Sequence, residues 1–179
     1  MDDIPCWSFP QGFGMRPMQP GDECLWEDIQ RDAEPFFKTT PGLFVQEFGD
    51  DLEAAWQRVF LLIDPKGYAV GTMGAWYRSF LEKDHGLIHW VSVRPAFQGK
   101  GLAKASLAAA LKVLARFHDR AYLVTQSQRT AAIGLYLDAG FRPYLGCDRD
   151  QAIWHDTARA MNRSKHREVI DRCLIDAGG

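Results

Sequence analysis

The chain has 179 residues, enough for one compact domain with its own core, and its balance of 46% hydrophobic to 25% charged residues excludes a disordered chain. A formal net charge of −2 at pH 7 offers no basic surplus for gripping nucleic acid. Cys6, Cys24, Cys147 and Cys173 form no Cys-x-x-Cys pair and no metal-ligand spacing with the five histidines, so reduced thiols and no metal site are expected. Asp2 and Asp3 stand where a leader would be basic, and no apolar run reaches membrane-spanning length; a cytoplasmic protein without a membrane partner is the expectation.

In chain order, a short extended piece at 15–18 precedes Pro20-Gly21-Asp22, where Asp22 is placed to cap a helix carrying Leu25, Ile29 and Ala33 at fourfold spacing. Pro35 should stop it. Residues 36–48, rich in aromatics and glycine, read as irregular, and a shorter helical piece follows around 51–57. A hairpin comes next, with strands at 59–63 and 68–76 around the turn Asp64-Pro65-Lys66-Gly67. A polar loop with Glu82, Lys83 and Asp84 leads to a fourth strand at 87–93, ended by Arg94-Pro95. A helix over about 102–117 shows the stripe Leu107, Leu111, Leu114 and His118, then a strand is expected at 122–126. A second helix, about 130–139, stops at Gly140. Residues 151–158 read as a last strand, and 163–175 as a terminal helix with a basic outer face.

Between the fourth strand and its helix lies Gln98-Gly99-Lys100-Gly101-Leu102-Ala103. A glycine-rich turn opening a helix binds anions, because the first helical amides lack internal partners and the macrodipole favours negative charge there. Lys100 and Lys104 add charge, and a diphosphate suits such a loop. A dinucleotide fingerprint would place a third glycine where Lys104 stands, and a P-loop needs Ser or Thr after its lysine, where this chain has Gly101. A tight turn without a ligand remains the alternative for the loop taken alone.

The segment 93–103 resembles motif A of the GNAT acetyltransferases, with Gln98, Gly101 and Ala103 as its core. Some thirty residues on, Ala132-Ile133-Gly134-Leu135-Tyr136-Leu137-Asp138-Ala139-Gly140-Phe141 is similar to motif B of the same family. Motif B commonly opens on asparagine where this chain has Arg129, so Arg129 is either a phosphate contact or a solvated helix-cap residue. The resemblance implies an α/β (α+β) fold of the GNAT type over a single domain, 1–179. Its mixed central sheet would have about six or seven strands, mostly antiparallel, flanked by helices and splayed between strands 4 and 5.

It also implies acetyl-CoA as cosubstrate, paired along the backbone of Val91 and Val93 with its diphosphate on Gln98, Gly99, Lys100, Gly101, Leu102 and Ala103. An amide near Val91 would polarise the acetyl carbonyl. Tyr136 stands where relatives place the general acid, and a tyrosine near ~10 can protonate a thiolate near ~8.5 at about 2 kcal/mol. Relatives carry a glutamate at the position of Leu87; here His89, two residues on and on the same face, is the candidate base, with a structural strand histidine as the alternative. The acceptor would be a primary amine, on a small molecule or a peptide, shaped by 36–48 and by a loop at 77–86, with a homodimer left open. Direct transfer in a ternary complex without a covalent cysteine intermediate is expected, against a non-catalytic acyl-CoA-binding sensor or interaction module as the second possibility.

Overall fold

The computed structural model describes residues 4–34, 36, 38–80 and 83–177; Asp2, Asp3, Pro35, Phe37 and Glu82 lie outside the described residues. The chain divides into two compact units, one running to Leu123 and the other starting at Val124.

The first unit is built on a five-stranded sheet in the order β1-β2-β3-β4-β5. Its strands are β1 (Gly14–Pro17), β2 (Val59–Ile63), β3 (Ala69–Phe80), β4 (Lys83–Val93) and β5 (Ala121–Leu123). Neighbours pair antiparallel except β4 with β5, which are parallel. The unbroken apolar run of β2 is covered on both faces, as a central strand requires. At the turn that follows, Asp64 Oδ1 accepts from the amides of Lys66 at 2.9 Å and Tyr68 at 2.8 Å, closing an Asx-type turn.

The β3–β4 hairpin is longer than its hydrophobic pattern suggests. Within the stretch 77–86, expected as a loop, residues 77–80 and 83–86 carry on the ladder, with Tyr77 opposite Gly86 and Phe80 opposite Lys83. Side-chain pairing holds this polar end together: Ser79 Oγ donates to Asp84 Oδ1 at 2.7 Å, and the ring of Phe80 stacks on Tyr122 of β5 with centroids 4.6 Å apart.

Among the described residues of this unit are the α-helices α1 (Glu23–Ala33), α2 (Leu43–Phe48), α3 (Leu52–Arg58) and α4 (Leu102–Leu114). Strand alternation assigns their faces. Leu87 of β4 joins the core of Trp26, Ile29, Phe44, Phe48 and Ala55 from α1, α2 and α3, while its neighbour Gly86 lies against Leu114 of α4. Trp26 is the hub, edge-on to Phe44, Phe48 and Trp90 at 5.5, 5.7 and 5.2 Å. Burying each such ring contributes roughly 1.5–3 kcal/mol. That packing explains why a helix, α2, forms within the stretch read as irregular: Phe44 and Phe48 are one turn apart and both meet Trp26. Asp22 precedes α1 but does not cap it; its carboxylate holds Arg16 at 2.6 Å and the Gln19 amide at 2.9 Å. Asp51 does cap α3, accepting from the Ala54 amide at 2.9 Å.

The second unit contains the helices α5 (Thr130–Asp138), α6 (Asp148–Ala160) and α7 (Ser164–Ala177). Residues 151–158, read as a strand, lie inside α6, so the sheet has five strands among the described residues rather than six or seven. The reason is local and tertiary together. Asp150 Oδ2 accepts from the amides of Gly146 at 3.0 Å and Cys147 at 3.1 Å, which starts a helix, and Trp154, Ala158 and Met161 then form a stripe against Ile170 and Leu174 of α7. No helix among the described residues is long and apolar enough to cross a membrane.

Candidate functional site

In the first unit, chemistry-bearing residues gather where β4 outruns its neighbour. β5 pairs with β4 over Gly86–Ile88, so His89 to Val93 have no strand partner on that side among the described residues of this unit. On the other side the ladder slips: Gly74 faces His89 and Thr72 faces Ser92, which leaves Trp90 and Val91 together opposite Met73. This is a β-bulge, and Trp90 takes φ +47°, the one non-glycine residue with positive φ among the described residues. Backbone of this kind persists only where its surroundings over-determine it. A Cβ added at Gly74 would stand 2.7 Å from the His89 carbonyl oxygen, so β3 needs its glycine there.

A buried polar network secures the bulge. Thr72 Oγ1 donates to the Trp90 carbonyl at 2.7 Å and accepts from Gln30 Nε2 at 2.7 Å. Gln30 Oε1 in turn accepts from Ser92 Oγ at 2.5 Å. Thr72 and Gln30 are 0% and 1% exposed, so α1 is tied to β3 and β4 at the irregular residues. The sequence reading missed these three. Gln30 was detectable, being the polar member of the buried α1 stripe beside Trp26 and Ile29.

His89 projects from β4 toward the aromatic side of the sheet, with its ring 5.7 Å from Phe48 and 5.9 Å from Trp90. Its Nε2 lies 2.9 Å from Glu47 Oε2, an atom that also receives Arg78 at 3.3 Å. The hydrogen bond from His89, helped by Trp90 and by the charges of His89 and Arg78, outweighs partial burial and draws the Glu47 carboxyl down to about 2. Glu47 is thus a carboxylate at any working pH. Nothing in its local sequence, Leu-Phe-Val-Gln-Glu-Phe, sets it apart. Leu87, at the position where the resemblance puts a glutamate in relatives, is core.

Beyond β4, the turn Pro95–Phe97 leads into the glycine loop. Gly99 and Gly101 have φ +75° and +81°, values that suit glycine, and a Cβ at either would meet nothing within 4 Å. Gly101 starts α4 without a side-chain cap, so the first amides of that helix point out of its end. Gln98 Nε2 donates to the Val93 carbonyl at 3.0 Å, holding the loop against the strand end. Leu102 and Val93 are buried, which leaves their backbone for any outside contact, whereas Val91 and Ala103 are half-buried. Lys100 and Lys104 are exposed, resting over the rings of Phe97 and Trp7 at 5.0 and 4.6 Å.

In the second unit, α5 ends in a Schellman motif: the Gly140 amide donates to Leu137 at 3.1 Å and the Phe141 amide to Tyr136 at 3.0 Å. Gly140 has φ +94°, as its sequence position implied. The turn also sets Phe141 edge-on to Tyr136 with centroids 6.1 Å apart. Burial pushes the Tyr136 hydroxyl up to about 12, against a lowering influence from Arg129. Arg129 Nε donates to Gln126 Oε1 at 2.8 Å, next to the helix start. Gly140→Ala is expected to lower unfolding free energy by about 1–2 kcal/mol, since an L-residue must enter the left-handed region; urea unfolding reads it, and an unchanged midpoint would contradict the role of this turn. Among the described residues no cluster of three or more His, Cys, Asp or Glu is placed to hold a metal.

The sequence model of the Acetyltransferase (GNAT) family matches residues 24–141, well over half of the chain. The chain belongs to the GNAT acetyltransferase family. A relative named mycothiol acetyltransferase from Streptomyces bingchenggensis is 27% identical over 150 residues, covering 79% of this chain and 47% of its own. Another of that name, from Streptomyces griseus, is 30% identical over 136 residues, covering 74% of this chain and 44% of its own. The chain therefore spans about half the length of the curated relatives it matches. A GCN5-related N-acetyltransferase from Sphaerobacter thermophilus superposes with a TM-score of 0.64 at 26% identity, over 78% of this chain and 44% of that one. An aminoglycoside N-acetyltransferase, AAC(6')-Iy, in complex with CoA shares the fold with a TM-score of 0.59 at 17% identity, over 73% of this chain and 88% of that one.

Proposed function

We propose that this GNAT chain transfers the acetyl group of acetyl-CoA directly to a primary amine in a ternary complex. One observation carries the reading: the end of β4 beyond its pairing with β5, with its bulge at Trp90 and Val91, runs straight into a loop whose two left-handed glycines lead to a helix N-terminus without a side-chain cap. Those features fit a ligand with an extended amide-bearing arm and a diphosphate. Val91 and Val93 would pair with the arm through their backbones; Gln98, Gly99, Lys100, Gly101, Leu102 and Ala103 would surround the diphosphate with amides and one ammonium. An amide of the bulge would meet the acetyl oxygen as negative charge develops on it.

His89 takes the proton from the acceptor's ammonium, which otherwise costs roughly 4.6 kcal/mol to deprotonate at pH 7. The freed lone pair attacks the acetyl carbon, the C–S bond breaks, and CoA departs as a thiolate. Tyr136 is assigned the proton donor on its place in motif B. With its hydroxyl near 12, full transfer to a thiol near ~8.5 is uphill by about 5 kcal/mol, so a strong hydrogen bond to the departing sulfur is its favoured contribution. The acceptor is placed among small-molecule amines, in keeping with the names of the mycothiol and aminoglycoside acetyltransferases above.

The test is thiol release from acetyl-CoA, corrected for hydrolysis, across aminoglycosides, the amine that a mycothiol acetyltransferase acylates, and peptides. Turnover with an amine supports the reading; tight acetyl-CoA binding without turnover on any acceptor replaces it with an acyl-CoA sensor. Tyr136→Phe is expected to lower kcat by on the order of tenfold or more with little change in KM for acetyl-CoA. Unchanged turnover removes Tyr136 from the reaction.

A further inference from the structure

The reaction above needs a proton acceptor whose basic nitrogen is free to face the amine, and an imidazole offers one only when its other nitrogen is held. His89 Nε2 is 2.9 Å from Glu47 Oε2, while its Nδ1 makes no hydrogen bond among the described residues. A carboxylate has no proton to give, so the short contact requires that Nε2 carry the hydrogen. A neutral imidazole has one N–H, which leaves the in-plane lone pair on Nδ1. The ring is also fixed in orientation, between Phe48 and Trp90, and both partners of the pair are only 20% exposed.

We propose that Glu47 is the positioning residue for His89, holding Nε2–H so that Nδ1 is presented as the proton acceptor for the incoming amine. This rests on the reading of His89 as the base. In the step itself, one ammonium N–H bond breaks, its proton forms a bond to Nδ1, and the electron pair stays on the amine for attack. The positive charge now on the imidazolium is met by Glu47 from α2, while Arg78 from β3, on the same carboxylate oxygen, offsets part of that attraction. Glu47 therefore acts twice, by fixing the tautomer and by stabilising the protonated ring.

Long-range proton–nitrogen NMR of the full chain tests this directly, with the His89 signals assigned by their loss in His89→Ala. The neutral ring is expected as the Nε2–H tautomer. Glu47→Gln, which keeps the size but can also donate from its amide, should let the neutral Nδ1–H tautomer appear beside the Nε2–H form. A neutral Nδ1–H tautomer in the wild-type chain, or a tautomer ratio that Glu47→Gln leaves in place, overturns the proposal whether or not an acceptor is found. In turnover, Glu47→Gln should reduce kcat by on the order of tenfold, hold KM for acetyl-CoA, and have no further effect in a His89→Ala background. An equal loss in that background would show an ordinary structural role and overturn the pairing as a catalytic device. A His89→Ala variant as fast as wild type would instead remove the base assignment on which the proposal rests, with the NMR result still deciding whether the pair exists.

Discussion

Thr72→Val is expected to lower the unfolding free energy by about 2–6 kcal/mol, the largest stability loss foreseen for a change of so little volume. The hydroxyl it removes is fully buried and serves as donor and acceptor at once, to the Trp90 carbonyl and from Gln30 Nε2, each at 2.7 Å. Valine cannot replace either bond, and water has no access to Thr72. Two polar atoms thus lose a partner, each at about 1–3 kcal/mol. Thr72→Ser keeps the hydroxyl and loses one methyl, so it should fall short by only about 1 kcal/mol. Denaturant unfolding of the three proteins decides the matter: if the valine and serine variants unfold together, the network is not what holds the bulge. A second consequence concerns the backbone. Trp90 at φ +47° is strained, and with the Thr72 hydroxyl gone β4 gains by relaxing toward a regular strand. Acetyl-CoA affinity should fall with it if Val91 receives the acetyl arm.

Gly101→Val is expected to weaken acetyl-CoA binding at least tenfold, about 1.4 kcal/mol, as read by calorimetry. At φ +81° an L-residue is disfavoured by about 1–2 kcal/mol, and a β-branched one by more. The protein itself would not clash with the new side chain, since nothing lies within 4 Å of a Cβ there. That openness is the point: the valine either fills the space assigned to the diphosphate or turns the loop and carries the first amides of α4 away from it. Both routes lose the ligand. Affinity equal to wild type in a folded Gly101→Val protein would reject the placement of the diphosphate on residues 98–103.

These two residues illustrate what was legible. Gly101 announced itself, because a glycine between a β-strand and an apolar helix has few reasons to be there, and with Gln98, Ala103 and the Gly140-Phe141 turn it identified the family that the match over residues 24–141 establishes. Thr72 did not. It lies in a strand where a threonine is unremarkable, and its importance comes from Gln30, 42 residues before it, and from a bulge that no local pattern encodes. Glu47 is similar: its partner His89 is 42 residues away, and only the folding of α2 onto the sheet brings the two within 2.9 Å.

The same division explains the misread elements. Residues 77–86 looked like a loop because of their polar side chains, and the pairing of 77–80 with 83–86 shows that cross-strand contacts suffice to extend a ladder. Residues 151–158 were read as a strand; the Asp150 cap and the face offered by α7 decide for helix.

By itself the sequence determined the family, the glycine loop that opens α4, the Schellman stop at Gly140 and the presence of a histidine on β4. These are local matters, set by backbone preferences and by residue types a few positions apart. Only the tertiary structure decided that β4 is bulged, that Gln30, Thr72 and Ser92 hold it so, and that Glu47 faces His89. Each of those depends on buried polar atoms finding partners across the sheet, and inside a core that demand, not local propensity, chooses the geometry.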